Sequence, residues 1–291
     1  MTDDCATSPA ELLRAYDDQL RTTAEVLGAD SVTREGPLWL ATYPGGRGFI
    51  TYAAPEASAD ATGDATGDPR GLAGLDPAEL VTLVRRALTR FCADPQIVGV
   101  EWKTRGHDDI PGLHEALVEA GFVAGEPESI MVGAARLLDV DVPLPPGVAL
   151  HRVTQEGDVR AMLAMQAEVF ADADARAEGM AQELLRRLSR GDDGLQLWVA
   201  QVEGRIVSAG RLEPIVGTEF AGIWGGATLP QWRGQGIYRA LTAARARSAI
   251  ALGLRFIHSD STEFSRPILE RSGLVKVSTT TPYEWSRDAV G

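Results

Sequence analysis

From Phe220 to Ser259 the chain runs forty residues without one acidic side chain, yet carries Arg233, Arg239, Arg245, Arg247 and Arg255. Within it lies Gly226-Ala227-Thr228-Leu229-Pro230-Gln231-Trp232-Arg233-Gly234-Gln235-Gly236-Ile237-Tyr238. Phe220 to Leu229 has the pattern of a strand, and Pro230, lacking an N–H, stops its ladder. Gly234 and Gly236 allow positive φ and close approach of a ligand to the backbone. Gly236 to Leu252 then repeats apolar Ile237, Leu241, Ala244 and Ile250 at helical spacing. The first N–H groups of that helix have no internal partner and point forward, with the helix dipole behind them. No nearby carboxylate competes, and Arg233 adds a guanidinium fork. Strand, glycine turn and helix together predict an anion cradle at the end of an open α/β sheet, shaped for a pyrophosphate.

The net charge of −13 argues against general nucleic-acid binding. All of the excess lies in residues 1–147, with 24 acidic and 11 basic side chains, whereas residues 148–291 carry 17 of each. The acidic half either steers a cationic acceptor or serves solubility. No apolar stretch has the length of a membrane span. The acidic start Met1-Thr2-Asp3-Asp4-Cys5 lacks the basic-then-apolar pattern of a leader. Two cysteines, Cys5 and Cys92, make neither a disulfide framework nor a metal site. These features lead to an expectation of a soluble cytoplasmic protein, without membrane, nucleic-acid or metal partners. Arg outnumbers Lys by 26 to 2, which reads as genomic bias rather than chemistry.

At 291 residues the chain is long enough for two domains, each with its own core. Val142-Pro143-Leu144-Pro145-Pro146-Gly147 is a stiff linker composition, and Pro55 to Gly74 is a low-complexity loop. The expected partition is a first domain over 1–140, a linker over 141–147 and a second domain over 148–291. After the linker the pattern predicts a strand at 148–153, helices at 158–170 and 177–190, and strands at 195–202, 205–215 and 220–229. A helix at 236–252, a strand at 256–260, a helix at 265–272 and a strand at 275–285 follow. Before it, helices are expected at 12–27, 76–91 and 111–120, and strands at 38–43, 48–52, 97–103 and 129–138. The two series share an order, and Gly112–Phe122 aligns with Ser265–Leu274 as a short helix, a stopping glycine and an apolar residue, which suggests an internal duplication. The fold class is α/β (α+β), with two tandem domains, each a mixed twisted sheet flanked by helices.

The run at 226–241 resembles the acyl-CoA-binding motif of the GNAT superfamily of N-acyltransferases, Arg/Gln-x-x-Gly-x-Gly/Ala, matched by Arg233 to Tyr238; Gln231 to Gly236 also fits the pattern two residues earlier, while Pro230 and the helix start favour the later register. The departure is Tyr238, where the family has Gly or Ala; it either narrows the cradle or sets a phenol over the cofactor. The resemblance covers the second half. It implies acetyl-CoA as co-substrate, bound by Arg233, Gly234, Gln235, Gly236, Ile237 and Tyr238, with Gly226, Ala227 and Thr228 offering backbone groups to the pantetheine arm. It also implies acetyl transfer to a primary amine, on a small molecule or peptide, by direct attack. The usual thiolate acid of the family, a Tyr, is Leu269 here, leaving Ser265, Tyr238 or water for that role. Asp260, flanked by Ser259 and Ser261, is the candidate base or else the cap of the next helix. In the first half Asp76 occupies the equivalent helix N-terminus, so that half is expected to be a degenerate GNAT-like repeat without a CoA loop. His107-Asp108-Asp109 reads as a turn, His258 as core or polar lining rather than catalytic, and Trp232 as a cover for the cofactor. The alternative function is a non-catalytic acyl-CoA-binding sensor or scaffold.

Overall fold

A computed structural model describes residues 7–54, 71–170 and 174–287, the side chains of 174–176 excepted. In chain order these form α1 (Pro9–Gln19), β1 (Ser31–Glu35), β2 (Leu38–Tyr43), β3 (Arg47–Tyr52), α2 (Pro77–Cys92), β4 (Gly99–Arg105), α3 (Leu113–Glu119), β5 (Val123–Ala124), β6 (Glu128–Ala134) and α4 (Ala135–Leu138). They continue with β7 (Ala149–Val153), α5 (Glu156–Phe170), α6 (Asp174–Arg190), β8 (Gln196–Val202), β9 (Arg205–Pro214), β10 (Phe220–Thr228), α7 (Ile237–Ala251), β11 (Phe256–Ser261), α8 (Arg266–Ser272) and β12 (Val275–Ser286). The order β1-β2-β3-α2-β4-α3 is repeated as β8-β9-β10-α7-β11-α8, the two tandem α/β units expected from the sequence. Among the described residues no helix is long and apolar enough to cross a membrane.

The compact units do not follow the expected cut at 141–147. One comprises residues 13–130 with 277–291, the other residues 1–12 with 131–276. The closing strand of each half therefore belongs mostly to the other half's unit. The physical reason lies in burial: Tyr283 and Trp285 of β12 sit in the core built by β2, β3, β4, α2 and α3. Met131 of β6, with Ala135 and Leu138 of α4, is buried with Ile257, Leu269 and Leu274.

In the N-terminal unit β1, β2 and β3 are antiparallel neighbours, β3 pairs β4 in parallel, and β12 pairs β4 antiparallel from Thr280↔Arg105 to Ser286↔Gly99. Leu80, Val84, Ala87 and Phe91 of α2 recur at helical spacing and face this sheet. Asp76 caps α2 through a capping box: its side chain accepts from the N–H groups of Ala78 and Glu79, and Glu79 accepts from the Asp76 N–H. Two expectations change here. The first helix ends at Gln19 rather than Leu27, and Thr22 adopts a φ of +56° just beyond it. The last strand of the first half ends at Ala134, where Ala135 to Leu138 turn into helix. Of the low-complexity stretch, residues 55–70 lie outside the described residues, as does Cys5, and Leu72–Gly74 form a single 3-10 turn.

In the C-terminal unit the strands run in the order β7-β8-β9-β10-β11-β6. β7 to β10 are antiparallel neighbours and β10 pairs β11 in parallel. One core joins α5 and α6 to Leu197, Val199, Val207, Ala209 and Ala227. Another packs Ala246 and Ala249 of α7 and Leu269 of α8 against Leu212, Ala221, Ile223 and Ile257. The proline-rich segment is not a free linker: Leu144 packs into the first of these cores, and Asp139 is ion-paired to Arg247 of α7 at 2.7 Å. Phe170, expected on the buried face of α5, is half exposed.

Candidate functional site

The site begins where two parallel strands part. β10 and β11 pair only over Phe220↔Phe256, Ala221↔Ile257 and Gly222↔His258. Beyond that point β10 continues to Thr228 and β11 to Ser261 without pairing each other, which opens a notch in the sheet. A β-bulge bends β10 at the notch: Trp224 faces Arg211 and Ala227 faces Ala209 on β9, so Gly225 and Gly226 together oppose one residue. Gly225 takes a φ of +60°, a conformation that favours glycine. Gln166 of α5, 6% exposed, donates its amide to the Gly225 carbonyl and holds the bulge from the helix side.

After the bulge, β10 ends in a 3-10 turn at Pro230–Trp232 and α7 begins. Gly236 is the N-cap of α7 with a φ of +81°, and no side chain caps the helix. Gly234 takes a φ of +74° with open space around it. The orphan N–H groups of α7 thus remain available to an anion, unlike those of α2, which two carboxylates occupy. Arg233 is exposed, and its Nε donates to the Thr228 carbonyl at 3.0 Å, which ties the turn to the strand end and leaves the Nη groups outward. Gln235 bonds back to the Gln231 carbonyl at 3.1 Å.

Two aromatic residues flank the turn. Tyr238 of α7 packs against β10: a Cβ on Gly226 would meet its ring at 2.5 Å. Behind it Arg245, 1% exposed, stacks 5.9 Å from the Tyr238 ring and donates to the carbonyls of Leu241 and Arg211. Burial lowers the pKa of Arg245, against the opposing pull of Tyr238. Trp232 is partly buried and packs against the core beneath the turn.

Along β11 side chains alternate, so Asp260 shares a face with His258. His258 is buried edge-to-face against Trp224, with ring centroids 5.2 Å apart, in keeping with a lining role. Asp260 is half-buried at the end of the notch. The N-cap of α8 is Ser265, so Asp260 does not cap that helix. The Ser265 hydroxyl donates to the Thr262 carbonyl at 3.3 Å. Leu269 is 1% exposed in the core and offers nothing to the notch. On the same face as Trp224, an ion cluster missed in the sequence borders the bulge. Arg211 Nε donates to Glu213 at 2.9 Å, Arg187 Nη1 to the other Glu213 oxygen at 2.8 Å, and Arg187 Nε to Asp193 at 2.6 Å.

In the N-terminal unit the corresponding end of β3 and β4 is filled with charge. Arg21 forms a bidentate pair with Asp108 at 3.2 and 2.9 Å and reaches Asp17 at 2.8 Å. Arg105, whose side chain is fully buried, pairs with Glu25, and Lys103 stands 3.7 Å from the same carboxylate. Burial would raise the Glu25 carboxyl, but Arg105, then Lys103, the Thr51 hydroxyl and Arg21 outweigh it and hold the carboxyl below its usual value. The His107-Asp108-Asp109 turn supplies this cluster, with His107 bonded to Ser278 at 2.6 Å and to Asp17 at 3.1 Å.

Residues 159–273 match the acetyltransferase (GNAT) family model. No curated protein matches the chain. Among solved structures, a GCN5-related N-acetyltransferase from Kribbella flavida is 17% identical with a TM-score of 0.60, over 95% of this chain and 93% of that one. A functionally unknown conserved protein from Staphylococcus epidermidis is 14% identical with a TM-score of 0.63, over 91% of this chain and 97% of the other. A tandem GNAT protein from the clavulanic acid biosynthesis pathway is 13% identical with a TM-score of 0.56, over 97% and 96%. At these identities the likeness is one of fold, and it extends over both units.

Proposed function

We propose that this chain, whose residues 159–273 match the acetyltransferase (GNAT) family model, is an acyl-CoA-dependent N-acyltransferase that carries an acetyl group from acetyl-CoA to a primary amine. The observation that carries this reading is the uncapped N-terminus of α7, opened by Gly236 at a φ of +81° beside the notch. The turn fits the cofactor: it presents N–H groups with no competing side chain, and no acidic residue lies between Phe220 and Ser259. The N–H groups following Gly234 hold the pyrophosphate, and the Arg233 Nη groups add charge. Gly226, Ala227 and Thr228 pair with the pantetheine arm along the edge that β11 has left. The bulge then aims a backbone N–H at the thioester oxygen, where negative charge grows during attack.

The amine enters on the face shared by Trp224, His258 and Asp260. Its nitrogen attacks the thioester carbon directly; a C–N bond forms, the C–S bond breaks, and coenzyme A leaves as thiolate. Asp260 takes the proton released by the amine. Ser265 or a water returns a proton to the sulfur, since Leu269 is buried where the family places a tyrosine. Replacing Asp260 by Asn is expected to lower kcat about a hundredfold or more near neutral pH and to remove the acidic limb of the pH–rate profile. An unchanged limb would take Asp260 out of the reaction.

The N-terminal unit lacks the means to bind coenzyme A on this reading. The Asp76 capping box occupies its helix end and the Arg105–Glu25 cluster fills its notch. Burial of Leu269 favours a second reading, a non-catalytic acyl-CoA sensor or scaffold. Free-thiol release against a panel of small and peptide amines separates the two: turnover supports the enzyme, and tight binding without turnover supports the sensor.

A further inference from the structure

The face of the notch that receives the acyl group carries a guanidinium the reaction above does not use. Arg211 stands on β9 directly across the ladder from Trp224, beside the bulge. A Cβ on Gly225 would lie 3.3 Å from Arg211 Nη1 and 3.0 Å from Gln166 Nε2, so the guanidinium edges the bulge itself. Its side chain is 17% exposed. Its Nε is bonded to Glu213, which also serves Arg187, and Arg187 in turn holds Asp193. The main-chain carbonyl of Arg211 accepts from Arg245 Nη1 at 3.2 Å, which pins the strand under the guanidinium. Two cations here share two carboxylates, and among the described residues neither Nη of Arg211 has a hydrogen-bond acceptor. The result is a guanidinium anchored through Nε, with Nη1 at the edge of the bulge.

We propose that Arg211 recognises a carboxylate carried by one of the two substrates at the β10 bulge. That chemistry has two sources: the terminal carboxylate of a dicarboxylic acyl group such as succinyl, or the carboxylate of an amino-acid acceptor. The inference rests on the acyl-CoA reading of the notch and narrows it. A planar fork anchored at Nε presents both Nη groups to one carboxylate in a fixed plane, which a lysine does not reproduce. The Glu213–Arg187 pair keeps the fork in place, and Gln166 holds the bulge beside it.

The test uses the full-length protein and two arms of isothermal calorimetry. In the first, succinyl-CoA and acetyl-CoA are titrated into the wild type, Arg211→Met and Arg211→Lys. In the second, the coenzyme A complex is titrated with glycine and glutamate against methylamine and ethylamine. A wild-type preference of roughly tenfold or more for the carboxylate-bearing ligand in either arm, abolished in Arg211→Met and weakened in Arg211→Lys, supports the proposal, and the arm in which it occurs identifies the source. Equal binding in both arms overturns it, as does a preference that survives Arg211→Met, while coenzyme A binding itself leaves the acyl-CoA reading standing. Wild-type protein that binds no coenzyme A thioester overturns both. Where Arg211→Met does not fold, Arg211→Lys decides: a preference weakened there supports the proposal, and one kept at wild-type strength overturns it.

Discussion

Replacing Arg233 by Ala and Gly236 by Val together is expected to weaken coenzyme A binding by at least about a hundredfold, because several charge-assisted hydrogen bonds of 1.5–3 kcal/mol each are lost at once. Gly236 sits at a φ of +81°, where a β-branched residue is strained by about 1–3 kcal/mol. Its new Cβ would meet Val142 Cγ1 at 3.4 Å and the Pro143 carbonyl at 3.7 Å, ordinary van der Waals distances, so the cost lies in the backbone conformation. Loss of Arg233 removes both the outward Nη charge and the Nε bond that ties the turn to Thr228. Calorimetry with coenzyme A reads the affinity, and a cooperative melt within a few degrees of the wild type shows that the fold persists. Wild-type affinity in the double variant would mean that the nucleotide binds elsewhere.

The second large effect belongs to the N-terminal unit. Arg105→Met is expected to destabilise it by about 3–5 kcal/mol, the consequence of leaving one member of a buried ion pair without its partner. Glu25, with a side chain 10% exposed, would keep Lys103 at 3.7 Å, the Thr51 hydroxyl and the charge of Arg21. Urea denaturation followed by tryptophan fluorescence measures the loss through Trp102, which is fully buried in that core. The same cluster fixes the direction of the pH dependence. The Glu25 and Asp17 carboxyls both have folded pKa values below their ordinary 4.5 and 3.8. Asp17 is lowered despite burial, by His107 and Arg21. Their contribution is therefore fully present above those ordinary values and is lost as pH falls through the lower folded ones. The urea midpoint of the wild type should stay level above about pH 5 and drop below it, and the drop should be smaller in Arg105→Met. An identical acid response in both proteins would detach Glu25 from this pairing.

Local signals and long-range signals fared differently. The strand, proline, glycine turn and helix at 220–251 follow from Pro230, Gly234, Gly236 and the spacing of Ile237 and Leu241, and the structure has that order of elements. β1 carries no strand signal because Ser31 to Glu35 is largely polar and has no buried residue, so it shows no alternation. The bulge was signalled by adjacent Gly225 and Gly226 inside a strand, a pattern that marks bulges. Gln166 and Arg211 were not, since each stands at an ordinary position of its element and acquires a role only when α5, β9 and β10 meet. Arg21 and Asp108 are 87 residues apart, and no local pattern ties them. The exchange of closing strands between units is likewise a choice of pairing partner: β6 and β12 both read as strands, and their periodicity is silent on which sheet each joins.

A crystal structure of the full-length protein saturated with coenzyme A tests the central claim most directly. The account predicts density for the diphosphate against the N–H groups between Gly234 and Tyr238, with the sulfur beside Gly225. A diphosphate seated in the N-terminal unit, or a ligand-saturated crystal with that turn bare, would contradict it.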